Sequence, residues 1–156
     1  MNLNLVQNLI KKHWLKLAFS LASLVFLCLL VHFFSHFGQK RYTFNYPLAG
    51  SKWKKTEVRY LTSEPVQGKI ACYVDELILG PSFYRGRPLF SLGTRVEYCF
   101  LRNKTLYVGL SEEASLQENG APAIGEGVAL FKKNIKKNFT GIKYIELFID
   151  GNFIAD

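Results

Sequence analysis

From Leu17 to Gln39 the chain has twenty-three residues without a single Lys, Arg, Asp or Glu. At ~1.5 Å rise per residue a helix of that length reaches roughly 35 Å, enough to cross a bilayer core. Lys11, Lys12 and Lys16 stand in front of it, and everything after it mixes polar and apolar residues in strand and helix patterns. The expected plan is a short basic cytoplasmic segment over 1–16, a transmembrane helix over 17–39 and one exported domain over 40–156.

A removed signal peptide has a short apolar core followed by small residues at the cleavage site. Here the apolar core runs Leu17 to Phe34, and Phe33, Phe34, His36 and Phe37 fill the places where small residues are needed. Lipidation at Cys28 would need a small residue before it, but Leu27 is there. The segment therefore reads as a retained anchor. Basic residues flank both ends (Lys40, Arg41, Lys52, Lys54 and Lys55 on the far side), so charge does not orient it. The shortness of the first flank favours an N-terminus in the cytoplasm and a single-pass protein with its domain exported. His32 and His36 are one helical turn apart; among Phe33, Phe34 and Phe37 they read as headgroup-level residues rather than a metal site.

All 12 acidic residues and 17 of the 20 basic ones lie after Gln39. A mildly basic exported domain suits anionic lipid or wall polymer, or is simply a soluble surface. Nucleic acid is not expected as a partner. With three cysteines, Cys28, Cys72 and Cys99, one of them in the apolar helix, no disulfide framework is implied.

Two alternating stretches, Arg41–Tyr46 and Thr56–Thr62, read as strands. Ser63 is placed to cap a helix, with Glu64 and Pro65 in its first turn and Val66, Ile70, Tyr73, Val74, Leu77 and Ile78 as its buried stripe. Gly80-Pro81 stops it. After a loop over 81–93, strands Thr94–Arg102 and Thr105–Ser111 form a hairpin at Asn103-Lys104. Val96, Tyr98 and Phe100 are expected to share the core face, with Cys99 and Leu101 on the other. Ile124, Val128, Phe131, Ile135 and Phe139 give a second amphipathic helix, whose last turns hold Lys132, Lys133, Lys136 and Lys137. A last strand spans Ile142–Ile149, and Asp150-Gly151 turns it back. The expected class is α+β: a small sheet of about five strands with two helices on one face. The other face would show Leu61, Leu101, Tyr144 and Phe148, more apolar than a solvated surface needs.

The sequence supplies no catalytic constellation. His13, His32 and His36 all precede Gly38, so the exported domain has no histidine to act as a general base. Cys72 and Cys99 read as small buried apolar residues. Adjacent carboxylates at Asp75-Glu76 and Glu112-Glu113 do not face one site. No phosphate-binding loop or calcium loop is present. No enzyme activity, metal or cofactor is expected.

Val74 to Thr94, with Glu76-Leu77 before Leu79-Gly80-Pro81 and then Leu89-Phe90 and Gly93-Thr94, resembles the GerMN domain. So do the hairpin from Val96 to Leu110, Glu126 with Ala129-Leu130, and the closing Ile145-Glu-Leu-Phe-Ile-Asp150-Gly151. The resemblance covers roughly Tyr42 to Asn152. It implies an α+β sandwich in an exported bacterial envelope protein of the kind known from spore formation and germination, with no catalytic residues. One copy of the domain is present, and the Phe83-Tyr-Arg85-Gly-Arg87 loop is unusual for the family.

The expected function is a non-catalytic, membrane-anchored envelope module for protein assembly or interaction, through an envelope partner or self-association. The alternative is a module that binds cell-wall polymer, peptidoglycan in particular, or a small ligand. Its candidate surface residues are Arg85, Arg87, Leu101, Lys132, Lys133, Lys136, Lys137, Tyr144 and Phe148. The bilayer itself is the partner of residues 17–39.

Overall fold

A computed structural model describes residues 3–35, 38–63, 65–116 and 120–155. The chain forms two compact units, Met1–Phe37 and Gly38–Asp156. The first holds one helix, α1 (Leu3–Ser35), so the flank with Lys11, Lys12 and Lys16 is helical too, and the helix expected over 17–39 ends at Ser35, with Gln39 already opening a strand. Its window His13–Phe34, 22 residues with mean hydropathy 2.4, is long and apolar enough to cross a membrane. Phe19, Leu21, Leu24, Phe26 and Phe33 are all exposed, so it is apolar all round rather than along one stripe. His36, the partner in the suggested histidine pair, lies outside the described residues.

The second unit contains β1 (Gln39–Pro47), β2 (Lys54–Thr62), α2 (Lys69–Ile78), β3 (Val96–Arg102), β4 (Thr105–Leu110), a 3-10 turn (Glu112–Ser115), α3 (Ile124–Asn138), β5 (Tyr144–Ile149) and β6 (Asn152–Ile154). The α+β class stands, with the strands divided between two sheets. β1 and β2 form an antiparallel pair, and the other four lie in the order β3-β4-β5-β6. β4 and β5 are parallel, with α3 in the crossover that parallel strands need; the other pairings are antiparallel. Asn103 (φ 49) and Lys104 (φ 66) both take the left-handed conformation that a two-residue hairpin turn requires. Asp150 and Gly151 do the same before β6.

One core holds the pieces together. β1 contributes Tyr42, Phe44 and Tyr46; α2 contributes Tyr73, Val74 and Leu77; α3 contributes Val128, Phe131 and Ile135. β4 adds Leu106, Val108 and Leu110, and β5 adds Ile145, Leu147 and Ile149. Phe44 stacks on Tyr73 at 4.5 Å between ring centres, joining the small sheet to α2. Such a pair adds roughly 0.5–1.5 kcal/mol beyond the area it buries.

Three expectations change. Ser63 does not cap α2, which begins at Lys69, after Gly68. Gly68 has φ +86 and donates its N–H to Pro65 O, so the chain turns there, and Val66 is left fully exposed instead of joining the buried stripe. Leu61 packs against the core from β2, and is therefore not on the uncovered face of the larger sheet. On β3 the expected faces are exchanged. A bulge between Val96 and Tyr98 sets Val96 opposite Leu110 but Tyr98 opposite Gly109. The extra residue reverses the alternation. Cys99 and Leu101 consequently align with the inward Val108 and Leu106, and Tyr98 and Phe100 point away from the core.

Candidate functional site

The bulge, together with alternation along β4 and β5, gathers aromatic residues on the outer face of the four-stranded sheet. Where Leu106, Val108 and Leu110 point in, Tyr107 and Gly109 point out; where Ile145, Leu147 and Ile149 point in, Tyr144, Glu146 and Phe148 point out. Register then sets Phe100 beside Tyr107, Phe148 beside Gly109 and Phe153 beside Phe148.

The rings form a connected chain. Tyr107 stacks on Phe100 at 5.1 Å, Phe100 meets Tyr98 at 5.9 Å, Tyr98 meets Phe148 at 6.2 Å, and Phe148 meets Phe153 at 5.6 Å. Gly109 is the gap that lets Tyr98 cross the sheet: a Cβ there would sit 2.2 Å from a Tyr98 ring carbon. Phe100 is 51% exposed, Phe153 56% and Tyr144 66%, so these rings remain in solvent. Aromatic residues exposed together in this way are what interfaces are enriched in. Tyr144 and Phe148 do lie on this surface. Leu101 does not; it points inward at the end of β3, where it lines a cavity. Tyr98, Phe100, Tyr107 and Phe153 were missed. Their aromatic content was visible, but their common face depends on the bulge and on strand order.

The basic candidates fall elsewhere. Lys133, Lys136 and Lys137 are exposed on α3, and Lys132 is half-buried. Lys137 Nζ donates to Asn45 Oδ1 of β1 at 3.4 Å. Arg85 and Arg87 act as loop staples. Arg85 donates to Ala49 O at 3.1 Å. Arg87 donates through Nη2 to Ala121 O at 2.9 Å and through Nε to Gly120 O. Both guanidiniums thus satisfy backbone carbonyls, tying the loop over 81–93 to its neighbours.

A further set of polar bonds belongs to the small sheet. The outer edge of β1 is covered by two asparagines of α3. Asn45 N–H donates to Asn134 Oδ1 at 2.8 Å, and Asn134 Nδ2 donates back to Asn45 O at 3.0 Å. Thr43 N–H donates to Asn138 Oδ1 at 3.0 Å, and Asn138 Nδ2 to Thr43 O at 2.8 Å. Four helical residues rise about 6 Å and two strand residues about 6.7 Å, so side chains at i and i+4 match alternate peptides of an edge strand. Asn134 is fully buried. A second asparagine four residues on, beside the apolar stripe, was the available signal.

On the other strand, Arg59 donates to Glu57 Oε1 at 2.7 Å, to Glu76 Oε2 at 2.9 Å and to Glu76 O at 2.9 Å, and reaches Gly80 O. It thereby satisfies carbonyls at the end of α2. Burial opposes ionisation of Glu57, but hydrogen bonds from Arg59 and Ser82 outweigh it and hold the carboxyl below its ordinary value. Burial pushes the Cys99 thiol up to about 11 and raises that of Cys72, the reverse of what an activated nucleophile needs. All three cysteines are free. Among the described residues no cluster of three or more His, Cys, Asp or Glu is placed to hold a metal ion.

No family model matches the chain, and no curated protein does. Among solved structures, a candidate lipoprotein of Clostridium perfringens aligns over 76% of this chain and 79% of its own, with 18% identity and a TM-score of 0.41.

Proposed function

We propose that this chain is a non-catalytic envelope protein of the GerMN kind, anchored by residues 17–39 in the inner membrane, whose exported domain binds a protein partner or another copy of itself. The observation that carries the reading is the outer face of the four-stranded sheet. Five of its rings contact one another; Phe100, Phe153 and Tyr144 are more than half exposed, and Tyr107 and Phe148 are half-buried. Burying Phe100, Phe153 and Tyr144 against a partner would be worth roughly 25 cal/mol per Å² of apolar area removed from water. The anchor is supported by α1, whose window His13–Phe34 is apolar around its whole circumference.

A photo-crosslinking residue at Phe153 or Tyr144 in the full-length protein in cells is expected to give a discrete adduct; one at Lys133 is not. An absence of adducts at both sheet positions, with the protein folded and in the membrane, would remove this reading. A second reading is favoured by the Tyr98, Tyr107 and Tyr144 hydroxyls, which could pair with sugar hydroxyls while the rings stack: the same face binds peptidoglycan. Sedimentation with purified peptidoglycan, lost on Phe100→Ala with Tyr98→Ala, would select it over the first.

A further inference from the structure

A cavity of about 720 Å³ opens between the start of α2 and the strands β3 and β4. That volume is within the range of small-ligand sites. Ile70, Leu101, Leu106 and Phe139 give it apolar walls, and Lys40 and Lys69, both exposed, are among the residues that line it. Among the described residues that line it there is no carboxylate. The ring of Tyr42 lies against both Lys40 and Phe139, and its buried hydroxyl has no hydrogen-bond partner among the described residues. Apolar walls do not suit a simple anion, and unbalanced lysines do not suit a neutral lipid. The combination suits an anionic amphiphile.

Chain connectivity indicates where such a molecule would come from. Lys40 is six residues past Phe34, the end of the apolar window. It is the first charged residue after that window in the sequence. A lysine near the surface of an anionic leaflet is attracted to it. We propose that this cavity holds one anionic phospholipid of the bilayer that the anchor crosses. Its phosphate is held by Lys40 and Lys69, and the beginning of an acyl chain lies over Ile70, Leu101 and Phe139. The proposal rests on reading residues 17–39 as a retained anchor; Phe100 of the aromatic face also lines this cavity.

Alkaline carbonate extraction of native membranes tests the anchor first; release of the protein defeats that reading and is distinct from the lipid result. The full-length protein is then placed in nanodiscs of phosphatidylcholine alone, or of phosphatidylcholine and phosphatidylglycerol in equal parts. Native mass spectrometry on release from the mixed discs should find one phosphatidylglycerol retained. Lys40→Gln with Lys69→Gln should lower the retained fraction about tenfold or more, from the loss of two lysine–phosphate attractions. Lys133→Gln with Lys136→Gln should leave it unchanged. Cys99, which lines the cavity, provides a second readout on the unmodified chain. Its alkylation, followed peptide by peptide apart from Cys28 and Cys72, should be slower in mixed discs than in phosphatidylcholine discs. Equal retention of the two lipids, equal loss with the α3 lysine pair, or Cys99 alkylation indifferent to phosphatidylglycerol would each overturn the proposal.

Discussion

The two sheets are held in different ways. The β1–β2 pair is bound on its outer edge by Asn134 and Asn138, and on β2 by the Arg59, Glu57 and Glu76 network. The β3–β6 sheet has an inner face of Leu, Ile and Val and an outer face of unburied rings. An isolated two-stranded sheet is marginal in water. The small sheet therefore needs polar partners from α3 and α2 as well as its aromatic core residues. The larger sheet packs its inner Leu, Ile and Val residues into the core, and its second face is left largely apolar and open. An exposed apolar face on a sheet that does not need it for stability is where a binding role is best sought.

Substitutions on the two sheets should separate stability from binding, and thermal unfolding of the full-length protein in detergent measures the first. The largest loss is expected for Asn134→Leu. It leaves Asn45 N–H and C=O both without their asparagine partner in a half-buried site, at about 3 kcal/mol. A loss under about 1 kcal/mol would mean that α3 does not brace the β1 edge.

Glu57→Gln should cost about 2 kcal/mol near neutral pH, since it removes charge-assisted bonds to Arg59 and Ser82. The sign with pH follows from its lowered folded pKa. Its ionised form stabilises the fold above the ordinary value of 4.5, and this contribution is lost as pH falls through the lower folded value. The gap between wild type and Glu57→Gln should therefore narrow on acidification. A constant gap would show that the hydrogen bonds, not the charge, matter.

Gly109→Ala should cost about 1–2 kcal/mol by displacing the Tyr98 ring, and much less in a Tyr98→Ala background. Equal costs in both backgrounds would show that Tyr98 does not lie across the sheet. The smallest effect is expected for Phe153→Ala, within about 0.5 kcal/mol, because the ring is more than half exposed. It should nonetheless weaken the crosslinked complex. If Phe153→Ala instead destabilises as much as Asn134→Leu, the outer face is structural and the contrast between the sheets fails.

Much of this was legible along the chain. The absence of charge from Leu17 onward dictated an apolar helix, since that property belongs to the segment itself, but the helix ends at Ser35 and Gln39 already belongs to β1. Asn103-Lys104 and Asp150-Gly151 marked turns because their positive φ values are a local demand. The stripe from Ile124 to Ile135 marked α3 because helical spacing is also local. Tyr144 and Phe148 fell on the outer face because plain alternation holds through β5. The facing of β3 was not legible. One bulged residue reversed it, and the bulge exists only in the pairing with β4. Nor was the split into two sheets legible, nor the engagement of Arg85 and Arg87 by carbonyls far along the chain. Sequence spacing is governed by backbone geometry over a few residues, and it determined the elements and their turns. The aromatic surface, the asparagine brace and the lysine-rimmed cavity depend on which distant segments meet and in what register, and only tertiary packing decided those.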